Sequence, residues 1–390
     1  MKTIFLTEHK SLCLPREDLP QSVVDQLRQK YSSQLYVKLQ DTPTGDRWQL
    51  TSKGWVGYIP LTPEFSIVLH PKVPLHDLFG MLAYAYKLKS FRVLEGLIDC
   101  QTIEELYEQL AYLLAQRILD RCRQGLYQAY LPKTQQLAYL RGRVLQSIYS
   151  PGNVKLNCHY QEPTRDIKEN QILAWTMLLL CRSGLCSERV WPTVRKAYHT
   201  LSGLVTMLPC SPSDCLGRQY NRLNQDYRLL HNLCRFFLEN TGPSYKQGDR
   251  AMVPFLVDIE RLYELFVAEW LKYHTAKSFL VKQQQRVALD KNRHFRIDLI
   301  LSDPQTGAAR YILDTKYKTG DKVAIGDFHQ MVSYAKATKC YEAVLVYPKP
   351  LCFPLDAKND DIRVRSLTFS LDGNLNDAGN TFLQDLQRRR

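Results

Sequence analysis

The sequence predicts a multidomain α/β protein of the α+β kind: a β-rich N-terminal domain, a helical middle region, and a C-terminal domain in which helices flank a mixed sheet. Three observations predict it. A chain of 390 residues is too long for one ordinary core and long enough for two or three domains. The hydrophobic period changes along the chain, from alternating runs to helical spacing near Leu75. The last third reads helix, three strands, helix, strand, the order of a mixed sheet with helical cover. The implied domains are 1–90, 91–245 and 246–390.

Each element has a local reason. In the first domain "QLYVKLQ", "WVGYIPL" and "FSIVLHPKV" alternate or are β-branched, and "DTPTGD" and prolines punctuate them. "LHDLFGMLAYAYKL" then has helical spacing. "TIEELYEQLAYLLAQRILDRCRQGLYQAY" opens with Thr102 and Glu105 in capping-box spacing and reads as one long amphipathic helix. The middle region reads as helical to about Asn240, with loops at "YSPGNVK" and "LPCSPSDCLG". After "NTGPSYKQGDR", Asp258 is an N-cap for "IERLYELFVAEWLKY", whose Ile259, Leu262, Tyr263, Phe266, Val267 and Trp270 form an apolar stripe with Glu260 and Glu264 at its polar margin. "FLVKQQQRVAL", "HFRIDLIL" and "ARYILDTKYK" read as strands, the last two joined as a hairpin through "SDPQTG". "GDFHQMVSYAKAT" reads as a helix capped by Asp327, and "YEAVLVYP" as a central strand.

Composition narrows the class. A hydrophobic fraction of 45% is that of a soluble globular protein. "MKTIFLTEHK" is neither a secretory signal nor an anchor, and "WTMLLLC" is far too short to span a bilayer, so a cytoplasmic protein without membrane association is expected. The net charge of +13 permits a nucleic-acid partner but is spread over all three segments. Eleven cysteines without a C-x-x-C predict reduced, mostly buried thiols; Cys181, Cys186, Cys210 and Cys215 form two C-x4-C pairs, read as packed thiols ahead of a metal site.

The chemistry concentrates in "YILDTKYK". Residues two apart on a strand share a face, so Asp314 and Lys316 emerge side by side, and the hairpin sets Asp298 opposite them. Two carboxylates on neighbouring strands repel, and a divalent cation removes that cost. Mg²⁺ takes oxygen ligands, which Asp298, Asp314 and the Thr315 backbone carbonyl supply, and Lys316 is set to stabilise charge on a phosphoryl group. The implied reaction is phosphodiester hydrolysis. A bare D-x-K is a weak signal and most often a solvated ion pair; the upstream Asp298, the hairpin and the flanking helices carry the reading. There is no G-x4-G-K-[ST] loop, no H-E-x-x-H, no G-x-S-x-G and no dinucleotide fingerprint. His294 and His329 are read as exposed or facing DNA, and His70 as structural.

This combination resembles the PD-(D/E)xK nuclease superfamily, with Ile297 standing where the motif has proline. The resemblance implies Asp298, Asp314 and Lys316 as catalytic residues. It adds Glu264 as a supporting helix carboxylate within reach of the metal, and Gln330 and Tyr334 as a Q-x3-Y element that supports the site or meets DNA. "GYIPL", "HPKVPLHDLFGMLAYAYKL", "LRGRV", "DIKENQIL", "LYELF", "ILDTKYK" and "HQMVSYA" together resemble the McrC family, nuclease subunits of McrBC 5-methylcytosine restriction systems. That likeness implies a Mg²⁺-dependent DNA endonuclease acting on double-stranded DNA carrying modified cytosine. It also implies an McrB-like AAA+ GTPase hexamer as partner, docked through the N-terminal domain, with GTP bound by the partner. The alternatives are a self-sufficient nuclease of the same superfamily in repair or mobile-element processing, and a non-catalytic regulator of a partner NTPase.

Overall fold

The computed structural model describes residues 2–388 apart from 44, 63, 89–99, 101, 151–152, 243–244, 248–249, 289–293 and 319. It divides into two compact units, Met1–Ile103 with Phe255–Arg390, and Glu104–Pro254.

The first unit begins with β1 (Lys2–Thr7), β2 (Ser11–Pro15), α1 (Gln21–Lys30), β3 (Leu35–Gln40), β4 (Arg47–Ser52), β5 (Trp55–Pro60), β6 (Phe65–His70) and α2 (Leu75–Ala85). β2, β4 and β3 form a three-stranded antiparallel sheet. The alternation read from the sequence buries Leu35, Val37, Trp48 and Leu50 against Val23, Val24 and Leu27 of α1 in one apolar core.

The second unit holds α3 (Ile103–Gln124), β7 (Ala129–Leu137), β8 (Arg143–Ser150), β9 (Asn153–Thr164), α4 (Lys168–Ser183), α5 (Trp191–Ser202), α6 (Tyr227–Asn240), β10 (Tyr245–Gln247) and β11 (Arg250–Met252). It is helical as expected, but also carries a three-stranded sheet in the order β7-β9-β8. "LYQAY", read as the end of the long helix, instead leaves α3 at Gln124 and enters β7. Gly125, at φ 97°, takes a backbone conformation that ends the helix without steric cost.

The chain then re-enters the first unit through β12 (Phe255–Asp258), α7 (Ile259–Thr275), β13 (Leu280–Ala288), β14 (His294–Ser302), β15 (Ala309–Thr315), α8 (Ile325–Thr338), β16 (Glu342–Tyr347), β17 (Asp356–Asn359), β18 (Ile362–Thr368) and α9 (Leu375–Gln387). β12 pairs with β5 and so completes a four-stranded sheet of order β1-β6-β5-β12. Gly57 permits that pairing: at φ 142°, a Cβ there would meet the Phe255 carbonyl oxygen at 2.0 Å. This long-range strand joins the first and last of the three segments read from the sequence. β13, β14 and β15 run antiparallel, β15, β16 and β18 parallel, and β17 antiparallel at the far edge of a six-stranded mixed sheet. Ile297, Ile300, Ile312, Ala343 and Leu345 of the sheet pack with Met331, Tyr334 and Ala335 of α8. Asp258 caps α7, accepting from the Arg261 backbone N–H at 3.1 Å. Asp327 does not cap α8: Ala324 holds the N-cap position and Asp327 lies in the first turn, its carboxylate taken by lysines. Among the described residues no helix is long and apolar enough to cross a membrane.

Candidate functional site

The hairpin β14–β15 ends its ladder at Leu299↔Leu313, one step short of Asp298 and Asp314. There the Asp298 side chain takes over from the backbone, accepting from the Thr315 N–H at 3.1 Å and the Thr315 hydroxyl at 3.3 Å. Because β15 also pairs in parallel with β16, and Lys316 N–H bonds the Val346 carbonyl at 2.8 Å, the end of the strand is fixed on both sides. Charged side chains are therefore held at a rigid sheet edge.

Asp314 is buried, and its Oδ2 lies 2.6 Å from Lys316 Nζ in an ionic contact without hydrogen-bond alignment. Lys316 Nζ also lies 3.5 Å from Gln330 Oε1 and 3.7 Å from Asp327 Oδ1. Gln330 donates to the Tyr334 hydroxyl at 2.6 Å, which donates to the Arg296 carbonyl at 3.3 Å, so the i,i+4 pair on α8 ties the lysine to β14. On α7, Glu264 accepts from the Gln284 side-chain amide, and Gln284 in turn accepts from the Arg296 guanidinium. One chain of contacts thus joins Asp314, Lys316, Gln330, Tyr334, the Arg296 backbone and side chain, Gln284 and Glu264. Asp298 stands in its middle.

The electrostatics follow from burial. Desolvation and then the Asp298 charge push the Asp314 carboxyl up to about 6. Desolvation and again Asp298 raise Glu264 to about 7. Asp298 is raised by burial, against the opposing pull of the Thr315 N–H and the Lys316 ammonium. Burial pulls Lys316 down, but Asp314, Asp327 and Asp298 outweigh it and hold the ammonium above its ordinary value. Lys316 is therefore a cation at neutral pH, suited to stabilising negative charge rather than to giving up a proton.

Among the described residues no group of three or more His, Cys, Asp or Glu side chains stands together as a metal site. The donors nonetheless suit a hard divalent cation: they are all oxygens, and the buried Asp314 Oδ2 has no aligned hydrogen bond. Five of the eleven cysteines are buried and four half-buried, so the thiols are less buried than expected. All eleven are free; burial pushes Cys181 up to about 11 and Cys186 and Cys215 up to about 12, and raises Cys210. Cys13 and Cys352 are exposed. His294 and His329 are exposed, and His70 stacks on Phe5 with ring centroids 5.6 Å apart.

Sequence reading missed three participants. Asp327 contacts Lys316 and Lys318 because the segment after β15 folds back to α8, which no local pattern encodes. Gln284 sits in the polar run "KQQQR" and Arg296 on the polar side of the alternating "HFRIDLIL", and both read only as strand surface.

An all-oxygen carboxylate pair beside a lysine, at the edge of a mixed α/β sheet, defines an acidic, cation-compatible site. The chain matches the family described as McrBC 5-methylcytosine restriction system component over residues 50–348, and it belongs to that family. It is 22% identical over 222 residues to the type IV methyl-directed restriction enzyme EcoKMcrBC of Escherichia coli (strain K12), an alignment covering 54% of this chain and 63% of that protein. Its fold is similar to that of a chain in the half-complex of the tetradecameric assembly of Thermococcus gammatolerans McrB AAA+ hexamers with bound McrC. The TM-score is 0.57 at 15% identity, covering 99% of this chain and 100% of that one.

Proposed function

We propose that this chain is the McrC-type subunit of a restriction complex, a Mg²⁺-dependent endonuclease whose PD-(D/E)xK centre comprises Asp298, Asp314 and Lys316. The observation that carries the reading is a buried and a half-buried carboxylate, Asp314 and Asp298, on adjacent strands with a protonated lysine 2.6 Å from the buried one, a costly arrangement for which a packed core has no use. Membership of a restriction-system family supports it. Asp298, Asp314, the Thr315 carbonyl and Glu264 are the groups that would hold Mg²⁺. The bound ion would polarise the phosphoryl oxygens and acidify water. Lys316 supplies positive charge where negative charge develops on the phosphoryl group, and Gln330 and Tyr334 keep its ammonium in place. Glu264, raised to about 7, adds a carboxylate that takes or gives a proton near neutral pH. The AAA+ McrB named in the similar assembly is the proposed partner; GTP hydrolysis and recognition of modified cytosine in double-stranded DNA are assigned to it, since this sequence has no P-loop. Partner docking is assigned to residues 1–90, with 91–245 as a middle region and 246–390 as the nuclease domain.

The test is cleavage of methylated and unmethylated plasmid in Mg²⁺, with and without GTP and an McrB-like partner. Cutting that requires methylation, partner and GTP, and is lost in Lys316→Ala, Asp298→Ala and Asp314→Ala, is the expected result. Cutting by the chain alone moves it to the self-sufficient nucleases. Stimulated GTP hydrolysis without any cutting leaves a regulator.

A further inference from the structure

The edge of the sheet beside the site carries a like-charge pairing, only one member of which has compensating contacts: Arg296 donates to Gln284 and is attracted by Glu264 and Asp298. In the antiparallel pair β13–β14, Arg286 stands directly opposite Arg296, and both are exposed. Directly opposed residues in such a pair project to the same side with Cβ atoms about 5 Å apart, and like charges there repel. Among the described residues neither guanidinium makes a close ion pair with a carboxylate; Arg296 feels Glu264 and Asp298 only at longer range. The far edge of the same sheet shows what compensation looks like. There Lys358 stands opposite Arg363, but Arg363 Nη2 lies 2.7 Å from Asp356 and Nη1 lies 3.7 Å from Glu342.

A second observation points the same way. Between Gln283↔Leu299 and Gln285↔Ile297 the ladder skips Gln284, which sits opposite Asp298 at φ 48°, a left-handed conformation uncommon for a non-glycine residue in a strand. With this backbone its side-chain amide holds Arg296 on one side and Glu264 on the other. The strained residue therefore fixes one guanidinium next to the acidic centre. Arg296 lies two residues from Asp298 along the strand, about 7 Å, a distance of one or two nucleotides along a DNA strand.

We propose that Arg286 and Arg296 form a cross-strand clamp for a DNA backbone phosphate flanking the scissile one. This rests on the nuclease reading above. An anion between the two guanidiniums removes their repulsion, and the planar forks of arginine suit bidentate phosphate contact.

The experiment is binding of a labelled DNA duplex to the full chain in EDTA, followed by fluorescence anisotropy over a salt series. Parallel thermal melts compare wild type with Arg286→Gln, Arg296→Gln, Arg286→Glu and Lys358→Gln. Each glutamine variant of the clamp should weaken binding about tenfold near 0.1 M salt and lower the slope of log affinity against log salt by about one. Arg286→Glu creates an opposite-charge pair with Arg296, so it should melt no lower than wild type while binding DNA more weakly still. Lys358→Gln should change neither quantity. Unchanged affinity and slope in the Arg286 variants overturn the clamp, as does an equal loss in Lys358→Gln, which would reduce the effect to overall charge. A wild-type chain that neither binds DNA alone nor cuts it with the McrB-like partner overturns the nuclease reading, and the clamp with it.

Discussion

Replacing Glu264 with glutamine separates what the acidic site does for stability from what it does for chemistry. Burial and the neighbouring Asp298 raise the Glu264 carboxyl from 4.5 to about 7. A raised acid means that the folded state holds the proton more tightly than the unfolded one between those two values. Stability attributable to this group is therefore full below about pH 4.5, falls as pH rises through the window, and is lost above about pH 7. At about 1.4 kcal/mol for each pH unit, the penalty for the ionised group reaches at most about 3 kcal/mol at pH 8. Glutamine retains a carbonyl oxygen for the Gln284 amide and carries no charge. In EDTA at pH 8, Glu264→Gln should thus be more stable than wild type by about 1 to 3 kcal/mol, or about 1 to 4 °C in Tm for a chain of this length. At pH 4.5 most of that difference should vanish. If Glu264 serves the metal, Mg²⁺ should raise the Tm of wild type more than that of the variant, and cleavage should fall in the variant. A variant that melts lower than wild type by the same amount at both pH values would refute the electrostatic argument and make Glu264 a packing residue.

Asp327→Asn removes a carboxylate that touches Lys316 at 3.7 Å and Lys318 at 2.5 Å, and should lower the cleavage rate several-fold, whereas Lys318→Gln should leave it near wild type; equal losses would assign the effect to the exposed pair. Tyr334→Phe loses the hydroxyl between Gln330 and the Arg296 carbonyl and should cost about 1 to 2 kcal/mol by denaturant unfolding, together with a lower turnover rate at unchanged DNA affinity. Arg365→Ala should destabilise by about 3 kcal/mol, because this buried guanidinium bonds the Asp385 and Leu386 carbonyls of α9 at 2.9 Å and lies 3.2 Å from Glu342.

The parts of this architecture that were legible in the sequence are those encoded locally. The apolar stripe of α7, its Asp258 cap, the β14–β15 hairpin and the apolar run of β16 each carry their signal within a dozen residues. The approach of Asp298 to Asp314 was legible for the same reason, since a hairpin register and a period of two suffice to align them. What escaped depends on distant partners. β12 is four residues long and finds its place only because β5, some 200 residues earlier, offers Gly57 to its backbone. β7 is exposed along nearly its whole length, so it lacks the alternation that marks a half-buried strand. The conformation of Gln284 is set by Glu264 and Arg296 together, and nothing in "KQQQR" announces it.

The same contacts bear on why Lys316 has so many neighbours. Asp314 alone would hold the ammonium at 2.6 Å, and a surface ion pair would need no more. Yet Asp327 and Gln330 stand within 3.7 Å as well, on a helix that arrives from the other side of the lysine. On the proposed reading this surplus has a use. Asp314 cannot give its full charge to a divalent cation and to Lys316 together, so a lysine with Asp314 as its sole partner would be left free to swing away when the cation binds. In that reading Asp327 and Gln330 would keep it in place, at the side-chain entropy already lost in the resting state. The arrangement that looks over-determined in the chain alone is the one in which the lysine need move least for catalysis.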